Sequence, residues 1–321
     1  MIQIGKHKIG PGQPPFIICE IGSNWTTLDD CLHSISAAKA CGADAVKFQA
    51  YTHEALYGTP GEVKGSLPLD WLPTLKAKAD AVGIEFMCSA FSPELVEAVN
   101  EHVNIHKVAS AEMTHIRILD AVKRSRKPVI LSTGASGEAD IREALRRLDT
   151  SPVILLYCVA NYPAQAVDPR VIPLMRDRFG VPVGFSDHST DVLTIPKAAM
   201  DMGAVVIEKH VTFIKGETPD SPHSLTGDQF ALMVRNLKND YQPVIGVHSE
   251  EQGMVLKHNR RLIATKAIEV GEVFQEGVNF GIYRSLRDDT HSFSPFALHV
   301  VQGDTAKRAI KAGQGIGPSD V

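Results

Sequence analysis

One pattern recurs eight times along this chain: a short apolar run rich in β-branched residues, then a longer stretch whose apolar positions return every 3.6 residues. The short runs occupy residues 16–21, 45–49, 85–89, 105–110, 128–133, 153–158, 182–187 and 205–211. The periodic stretches cover 28–41, 70–82, 93–103, 116–125, 138–148, 169–179, 193–202 and 227–239. Ser92-Pro93 and Asp168-Pro169 mark helix starts, and Gly42, Gly83, Gly180 and Gly203 mark helix ends. Eight strand–helix units with nothing left over predict an α/β fold, a closed (β/α)8 TIM barrel rather than an open doubly wound sheet. No Gly-x-Gly-x-x-Gly follows the first run, which argues further against a dinucleotide fold.

The pattern stops near residue 240. Of the 321 residues, 1–240 are therefore assigned to the barrel and 241–258, with Pro243, Gly246 and Gly253, to a linker. Residues 259–321 form a small β-rich domain, with short strands expected at 261–267, 279–284 and 306–310 and a turn at Val270-Gly271-Glu272. About sixty residues make a marginal domain alone, so this one is expected to dock on something.

Composition narrows the functional classes. With 33 basic and 37 acidic side chains the net charge is −4, which points to neither nucleic acid nor an anionic membrane as partner. The opening Met-Ile-Gln-Ile-Gly-Lys-His-Lys has no apolar core of signal-peptide length. The longest wholly apolar run, 153–160, falls far short of the ~18 residues of a spanning helix. A soluble cytoplasmic protein is expected. Cys19, Cys31, Cys41, Cys88 and Cys158 show no Cys-x-x-Cys spacing, which indicates neither a disulfide framework nor a structural zinc site, and Cys88 and Cys158, closing apolar runs, read as small buried hydrophobes.

A parallel barrel builds its site where strands end, and these strands end in polar groups. In order they offer Glu20; Lys47 and Gln49; Ser89; Lys107, Ser110 and Glu112; Ser132 and Thr133; Tyr162; Ser186, Asp187 and His188; Glu208, Lys209 and His210. Lys47 and Lys107 with the hydroxyls of Ser89, Ser110, Ser132 and Ser186 suit a small dianion such as a phosphate ester. His188 and His210, on neighbouring strand tips, suit one divalent metal acting as a Lewis acid on a carbonyl. Glu20, Glu112 and Glu208 are candidates for proton transfer or for orienting water. A phosphate cradle beside an activated carbonyl suggests carbon–carbon bond formation between a phosphorylated nucleophile and an aldehyde. His7, His33, His223, His258 and His291 read as surface or loop groups.

These residues resemble the sialic acid synthases, which condense phosphoenolpyruvate with an N-acylated hexosamine. The likeness spans nearly the whole chain. It rests on Ile-Ile-Cys-Glu-Ile-Gly at 17–22, Gly-Ala-Asp-Ala-Val-Lys-Phe-Gln at 42–49, Gly-Ile-Glu-Phe-Met-Cys-Ser-Ala-Phe at 83–91, His-Lys-Val-Ala-Ser-Ala-Glu-Met-Thr at 106–114, Lys-Pro-Val-Ile-Leu-Ser-Thr-Gly at 127–134, Tyr-Pro at 162–163, Val-Gly-Phe-Ser-Asp-His-Ser at 183–189 and Val-Ile-Glu-Lys-His-Val-Thr at 206–212. The last two, in that order and spacing, are the most specific. The C-terminal segment resembles the antifreeze-like (SAF) domain of that family.

The resemblance implies that His188 and His210 hold Mn²⁺, or Mg²⁺ or Co²⁺ in its place. It implies that Lys47, Ser89, Lys107, Ser110, Ser132 and Ser186 bind phosphoenolpyruvate, that Gln49, Tyr162 and Asp220 line the sugar site, and that Glu20 and Glu112 lie near the reacting carbons or the attacking water. It further implies a domain-swapped homodimer whose SAF domain covers the partner's barrel mouth and brings Arg284 to the sugar's acyl group.

The chain departs from the family pattern on the acceptor side. Asn24-Trp25-Thr26-Thr27 replaces Asn-His-Asn-Gly, Ala160 stands two residues before Tyr162 where the family places Asn or Ser, Ser285-Leu286-Arg287 follows Arg284 in place of Pro-Gly, and the loop 51–68 is short. An acceptor other than N-acetylmannosamine is therefore expected. Two rival readings are a Schiff-base aldolase using Lys47, Lys107 or Lys209, and a sugar-binding homologue that has lost turnover, suggested by Trp25 and Ala160.

Overall fold

A strand in a closed parallel barrel touches side chains on both faces, so its sequence must satisfy two interiors at once. The computed structural model describes residues 1–238, 259–285 and 291–321. The linker expected at 241–258, His258, and the pair Leu286-Arg287 lie outside the described residues. The chain divides into two compact units, Met1–Asp240 and Tyr241–Val321.

The first unit is the expected barrel. Its strands are β3 (Phe16–Gly22), β4 (Ala45–Ala50), β5 (Glu85–Ala90), β6 (His106–Val108), β7 (Val129–Ser132), β8 (Val153–Cys158), β9 (Val183–Asp187) and β10 (Val206–Thr212). Each pairs in parallel with the next, and β10 pairs with both β9 and β3, which closes the ring; a two-residue β11 (Leu225–Thr226) lies parallel to the end of β10. The helices α1 (Leu28–Ala40), α3 (Leu72–Val82), α4 (Pro93–Asn100), α5 (Ile116–Ser125), α6 (Glu138–Arg147), α7 (Val171–Phe179), α8 (Thr194–Asp201) and α9 (Gly227–Lys238) follow the strands one by one. Ser92 caps α4 by accepting from Leu95 N, and Thr27 and Asp30 cap α1 reciprocally.

Alternation along the strands separates two cores. Outward residues such as Val46, Phe48, Phe86, Leu131, Leu155, Phe185 and Ile207 pack against the helices. Inward residues Ile18, Ala45, Met87, Ile105, Ile130, Ile154 and Val206 form a separate apolar plug inside the ring. Gly184 is inward too; a Cβ there would stand 2.6 Å from Val206 O and 2.7 Å from Leu156 Cδ2, so only glycine fits. An N-terminal hairpin absent from the sequence reading, β1 (Ile2–Ile4) with β2 (His7–Ile9), adds Ile2, Ile4 and Ile9 to the plug. Its three-residue strands are too short for periodicity to reveal.

Several boundaries shift from expectation: the helix expected at 93–103 stops at Asn100, and the strand expected at 261–267 stops at Ala264. The run 105–110 yields only the three residues of β6, because Ser110–Glu112 folds into a 3-10 turn that carries the chain off the sheet. The loop 51–68 contains a short helix α2 (His53–Tyr57), capped by Thr52.

The second unit is β-rich. An antiparallel pair, β12 (Arg260–Ala264) and β13 (Phe280–Arg284), is joined by single bridges at Ile268↔Ile310 and Val273↔Thr305. Its core is Leu262, Ile268, Phe274, Phe280, Val301, Ile310 and Ile316. The strand expected at 306–310 survives only as the Ile310 bridge. No helix of the described residues is long and apolar enough to cross a membrane.

His106 opens β6 with its ring buried and Nε2 3.1 Å from Asn100 Oδ1. Burial, reinforced by Lys127, lowers its pKa to about 4. The unfolded chain titrates near 6.5, so it binds the extra proton first and stability falls as pH drops from 6.5 towards 4. In urea unfolding, the stability advantage of wild type over His106→Gln should shrink by about 3 kcal/mol between pH 7 and pH 4.

Candidate active site

Above the apolar plug, the next inward position is polar on every strand except β8, where Leu156 extends the plug. Lys47 stands two residues beyond Ala45, Ser89 beyond Met87, Lys107 beyond Ile105, Ser132 beyond Ile130, Ser186 beyond Gly184 and Glu208 beyond Val206. The same two-residue step that seals the barrel floor delivers a ring of polar groups to one level.

They form one buried network. Lys47 Nζ lies 2.9 Å from Glu20 Oε2 and donates to Ser89 Oγ at 3.1 Å. Gln49 Nε2 donates to Glu20 Oε1 at 2.5 Å. Lys107 Nζ donates to Ser132 Oγ at 2.8 Å. Glu208 Oε1 sits 3.7 Å from Lys47 Nζ and 3.6 Å from Lys107 Nζ, and accepts from Ser186 Oγ at 3.2 Å. Its other oxygen is buried without a hydrogen-bond partner.

Electrostatics separates the two carboxylates. Burial raises Glu20 to about 7, against the pull of Lys47. Burial also acts on Glu208, but Lys107 and Lys47 outweigh it and hold that carboxyl below the usual range. Burial depresses Lys107, whereas for Lys47 the attraction of Glu20 and Glu208 wins and the pKa rises. With both acids ionised the four charges cancel. A proton on Glu20 leaves net positive charge at the mouth, which is what an incoming dianion requires.

The histidines stand on the next step up. His188 Nδ1 donates to Val159 O at 2.9 Å, which leaves Nε2 as the free lone pair, 3.4 Å from Ser186 Oγ. Its ring stacks on Tyr162 at 4.1 Å between centroids. The His210 ring lies 5.7 Å from that of His188. His210 Nδ1 is buried, has no hydrogen-bond partner, and lies 3.7 Å from Asp220 Oδ2. Burial lowers His188 to about 4 and His210 well below its ordinary value, so both are neutral imidazoles near pH 7. Neutral imidazoles, one with an orphaned nitrogen beside a carboxylate, fit a divalent first-row ion.

His223 was expected to be a surface or loop group, yet its ring lies 4.9 Å from that of His210 and 4.8 Å from Tyr162. The legible signal was an Asp and a His three residues apart, shortly after the strand that carries His210.

Other candidates stand apart. Ser110 Oγ accepts from Gly134 N at 2.9 Å. Glu112 is half-buried in the turn after β6; burial raises its pKa, partly offset by His115, and no described contact joins it to the lysine network. Arg284 is exposed at the end of β13 in the second unit. Lys209 faces outward, against the reading that offers it as a Schiff-base nucleophile. It is wholly buried, 2.6 Å from Asp187 Oδ2, and donates to Ser189 O at 2.6 Å. The alternation that turns Glu208 and His210 inward turns Lys209 out.

The departure at 24–27 has a definite shape. Trp25 Nε1 donates to Gly22 O at 3.0 Å and its ring meets Trp71 edge-on at 5.4 Å. Asn24 is buried; it donates to Val211 O and Ser224 Oγ and accepts from Thr218 Oγ1. The loop after β3 thereby holds the loop after β10.

Fold and site define a (β/α)8-barrel enzyme with a lysine–carboxylate–serine floor beneath a histidine cluster. The chain belongs to the NeuB family, whose profile matches residues 34–246, and is a transferase of the sialic acid synthase type. It is 31% identical to a pseudaminic acid synthase of Campylobacter jejuni over 99% of both chains. It is 34% identical to an uncharacterized protein of Methanocaldococcus jannaschii over 84% of this chain and 85% of that one. Among solved structures, an N-acetylneuraminic acid synthetase of Leptospira borgpetersenii in complex with citrate superposes with a TM-score of 0.71, with 30% identity over 79% of this chain and 94% of that one.

Removing one partner of the outward ion pair leaves the other buried and uncompensated. Lys209→Met should lower the unfolding free energy by about 3–5 kcal/mol, and adding Asp187→Leu should restore most of it, as read by chemical denaturation.

Proposed function

We propose that this protein condenses phosphoenolpyruvate with an aldehydo sugar, an N-acylated hexosamine or a relative, to give a 3-deoxy-2-keto sugar acid and phosphate. The observation that carries the reading is the buried ring at the barrel mouth: two ammonium groups and three hydroxyls converge on one level, with a carboxyl near neutrality beside them. The family supports the same chemistry.

In this reading Lys47, Lys107, Ser89, Ser132 and Ser186 hold the phosphate and carboxylate of phosphoenolpyruvate, and Ser110, held by Gly134 N, is assigned to the same ligand. Carbon 3 of phosphoenolpyruvate bonds to the aldehyde carbon, whose oxygen takes a proton. Water adds at carbon 2 and loses a proton, and phosphate leaves with its bridging oxygen. Glu20 is the group suited to passing those protons, while Glu208 stays ionised between the lysines. Glu112 is assigned to the water side, and Gln49, Tyr162 and Asp220 to the sugar. A divalent ion held by His188 and His210, Mn²⁺ foremost, supplies Lewis acidity towards the aldehyde oxygen when bound. Tyr162, stacked on His188, shields that imidazole from solvent and fixes its plane.

The remaining parts of the reading are a homodimer in which the second unit, an antifreeze-like SAF domain, covers the partner's barrel mouth and presents Arg284, and a cytoplasmic location, which five unpaired cysteines suit. The Trp25 loop and the short segment 51–68 border the acceptor side, so the acceptor is a sugar other than N-acetylmannosamine.

Phosphoenolpyruvate labelled with ¹⁸O in the bridging position should deliver the label to phosphate, and chelation should stop turnover; label retained in the organic product, or trapping by borohydride, would turn the assignment to a Schiff-base aldolase. Lys107→Met should reduce kcat/KM for phosphoenolpyruvate by about 10²–10³-fold. Across a panel of aldehydo sugars assayed by phosphate release, another sugar should exceed N-acetylmannosamine at least tenfold in kcat/KM. A clear lead for N-acetylmannosamine refutes the acceptor assignment alone.

A further inference from the structure

The loop after β10 returns two side chains to the mouth. Asp220 precedes and His223 ends a 3-10 turn, Ser221–His223, whose backbone is pinned by Ser224 Oγ donating to Asp220 O at 2.7 Å and by Ser221 Oγ donating to Thr218 O at 2.9 Å. Asn24 holds the same loop from the other side through Thr218 and Ser224. The carboxylate is oriented: Ser23 N donates to Asp220 Oδ2 at 2.8 Å. Gly22 makes the room, since a Cβ there would stand 2.1 Å from that oxygen.

Three donors then face one another. His210 Nδ1 lies 3.7 Å from Asp220 Oδ2, and His223 Nε2 lies 3.8 Å from Asp220 Oδ1. Ligand atoms of His210, Asp220 and His223 all lie within 4.8 Å of one another. Both nitrogens are buried and without a hydrogen-bond partner. Two unpartnered imidazole nitrogens and a carboxylate, held in orientation by their neighbours, make a costly arrangement unless something positive sits among them.

We propose that His223 is a metal ligand of this protein, and that with His210 and Asp220 it forms a two-histidine, one-carboxylate donor face for a divalent first-row ion. The proposal rests on the reading of a divalent ion at this mouth and extends its donor set beyond His188 and His210. His223 is the nearer imidazole to His210, at 4.9 Å between centroids against 5.7 Å for His188. Donors on one ion of this class lie about 3 Å apart, so side-chain shifts of about 1 Å apiece bring the three into reach. Two nitrogens and one oxygen suit Mn²⁺, Fe²⁺, Co²⁺ or Zn²⁺ better than Mg²⁺ or Ca²⁺, which favour all-oxygen sets. Asp220 then serves the ion rather than the sugar alone.

The test is titration of the full chain with MnCl₂, reading free Mn²⁺ by electron paramagnetic resonance, on wild type and on His223→Ala, His223→Gln and His188→Ala. Folding of each variant is checked by near-ultraviolet circular dichroism. Both His223 substitutions should raise the Mn²⁺ dissociation constant at least tenfold, whereas a His223 that only pairs with Asp220 would shift thermal stability and leave that constant within twofold. In wild type, Mn²⁺ should also protect His223 from diethyl pyrocarbonate, mapped by mass spectrometry, so the proposal remains testable should a variant fail to fold. Unchanged modification, or wild-type affinity in the folded variants, overturns it. If His188→Ala alone abolishes binding, the two-histidine reading stands and His223 falls. If His223 binds the ion but no sugar releases phosphate, the donor set stands and the proposed reaction falls. Absence of Mn²⁺ binding in wild type removes both metal assignments.

Discussion

Everything at this site depends on the strict two-residue step of a β-strand inside a closed parallel ring. Once Ile18, Met87, Ile105, Ile130 and Val206 are committed to the floor, the groups two positions on cannot choose another direction. Glu20, Ser89, Lys107, Ser132 and Glu208 are brought together by that constraint, although they are scattered over nearly two hundred residues of chain. The apolar floor has a second effect. It excludes water from beneath the lysines, so each ammonium is left to its carboxylate and hydroxyl neighbours, and those contacts set how the pairs share their protons.

The buried charges are arranged as a balanced set rather than a bare cationic pocket. Two unopposed ammonium groups at this depth would be expensive, and each would shed its proton or disturb the fold. Glu208 between the lysines and Glu20 beside Lys47 remove that cost. The two acids differ in role because their surroundings differ: Glu208 faces two cations and stays ionised, while Glu20 is more nearly governed by burial and sits close to protonation at neutral pH. Lys209 and Asp187 show the same chemistry turned outward, where it ties the end of β9 to β10.

Much of this was legible in the sequence, because the signals were long and periodic. Eight apolar runs alternating with eight amphipathic ones predict the barrel, and the polar residues at the ends of those runs predict the mouth. What sequence could not resolve is which face each of them takes where two polar residues stand together. Glu208, Lys209 and His210 read alike as a cluster, yet Lys209 is structural. Short elements escaped as well: the three-residue strands of the N-terminal hairpin are below the length at which a period can be counted. His223 was passed over since it lies on a loop, where no period constrains direction and only the hydrogen bonds of Asn24, Ser221 and Ser224 fix it.

Those bonds of Asn24 join the beginning of the barrel to its end, across the β3–β10 seam. A nascent chain has Glu20, Lys47, Ser89 and Ser132 in hand long before β10 is made, but the loop bearing Asp220 gains its hold on Ser23 and Asn24 only when the last strand meets the first. The mouth is thus complete only at ring closure, and a half-built or nicked barrel open at this seam lacks the oriented Asp220 carboxylate.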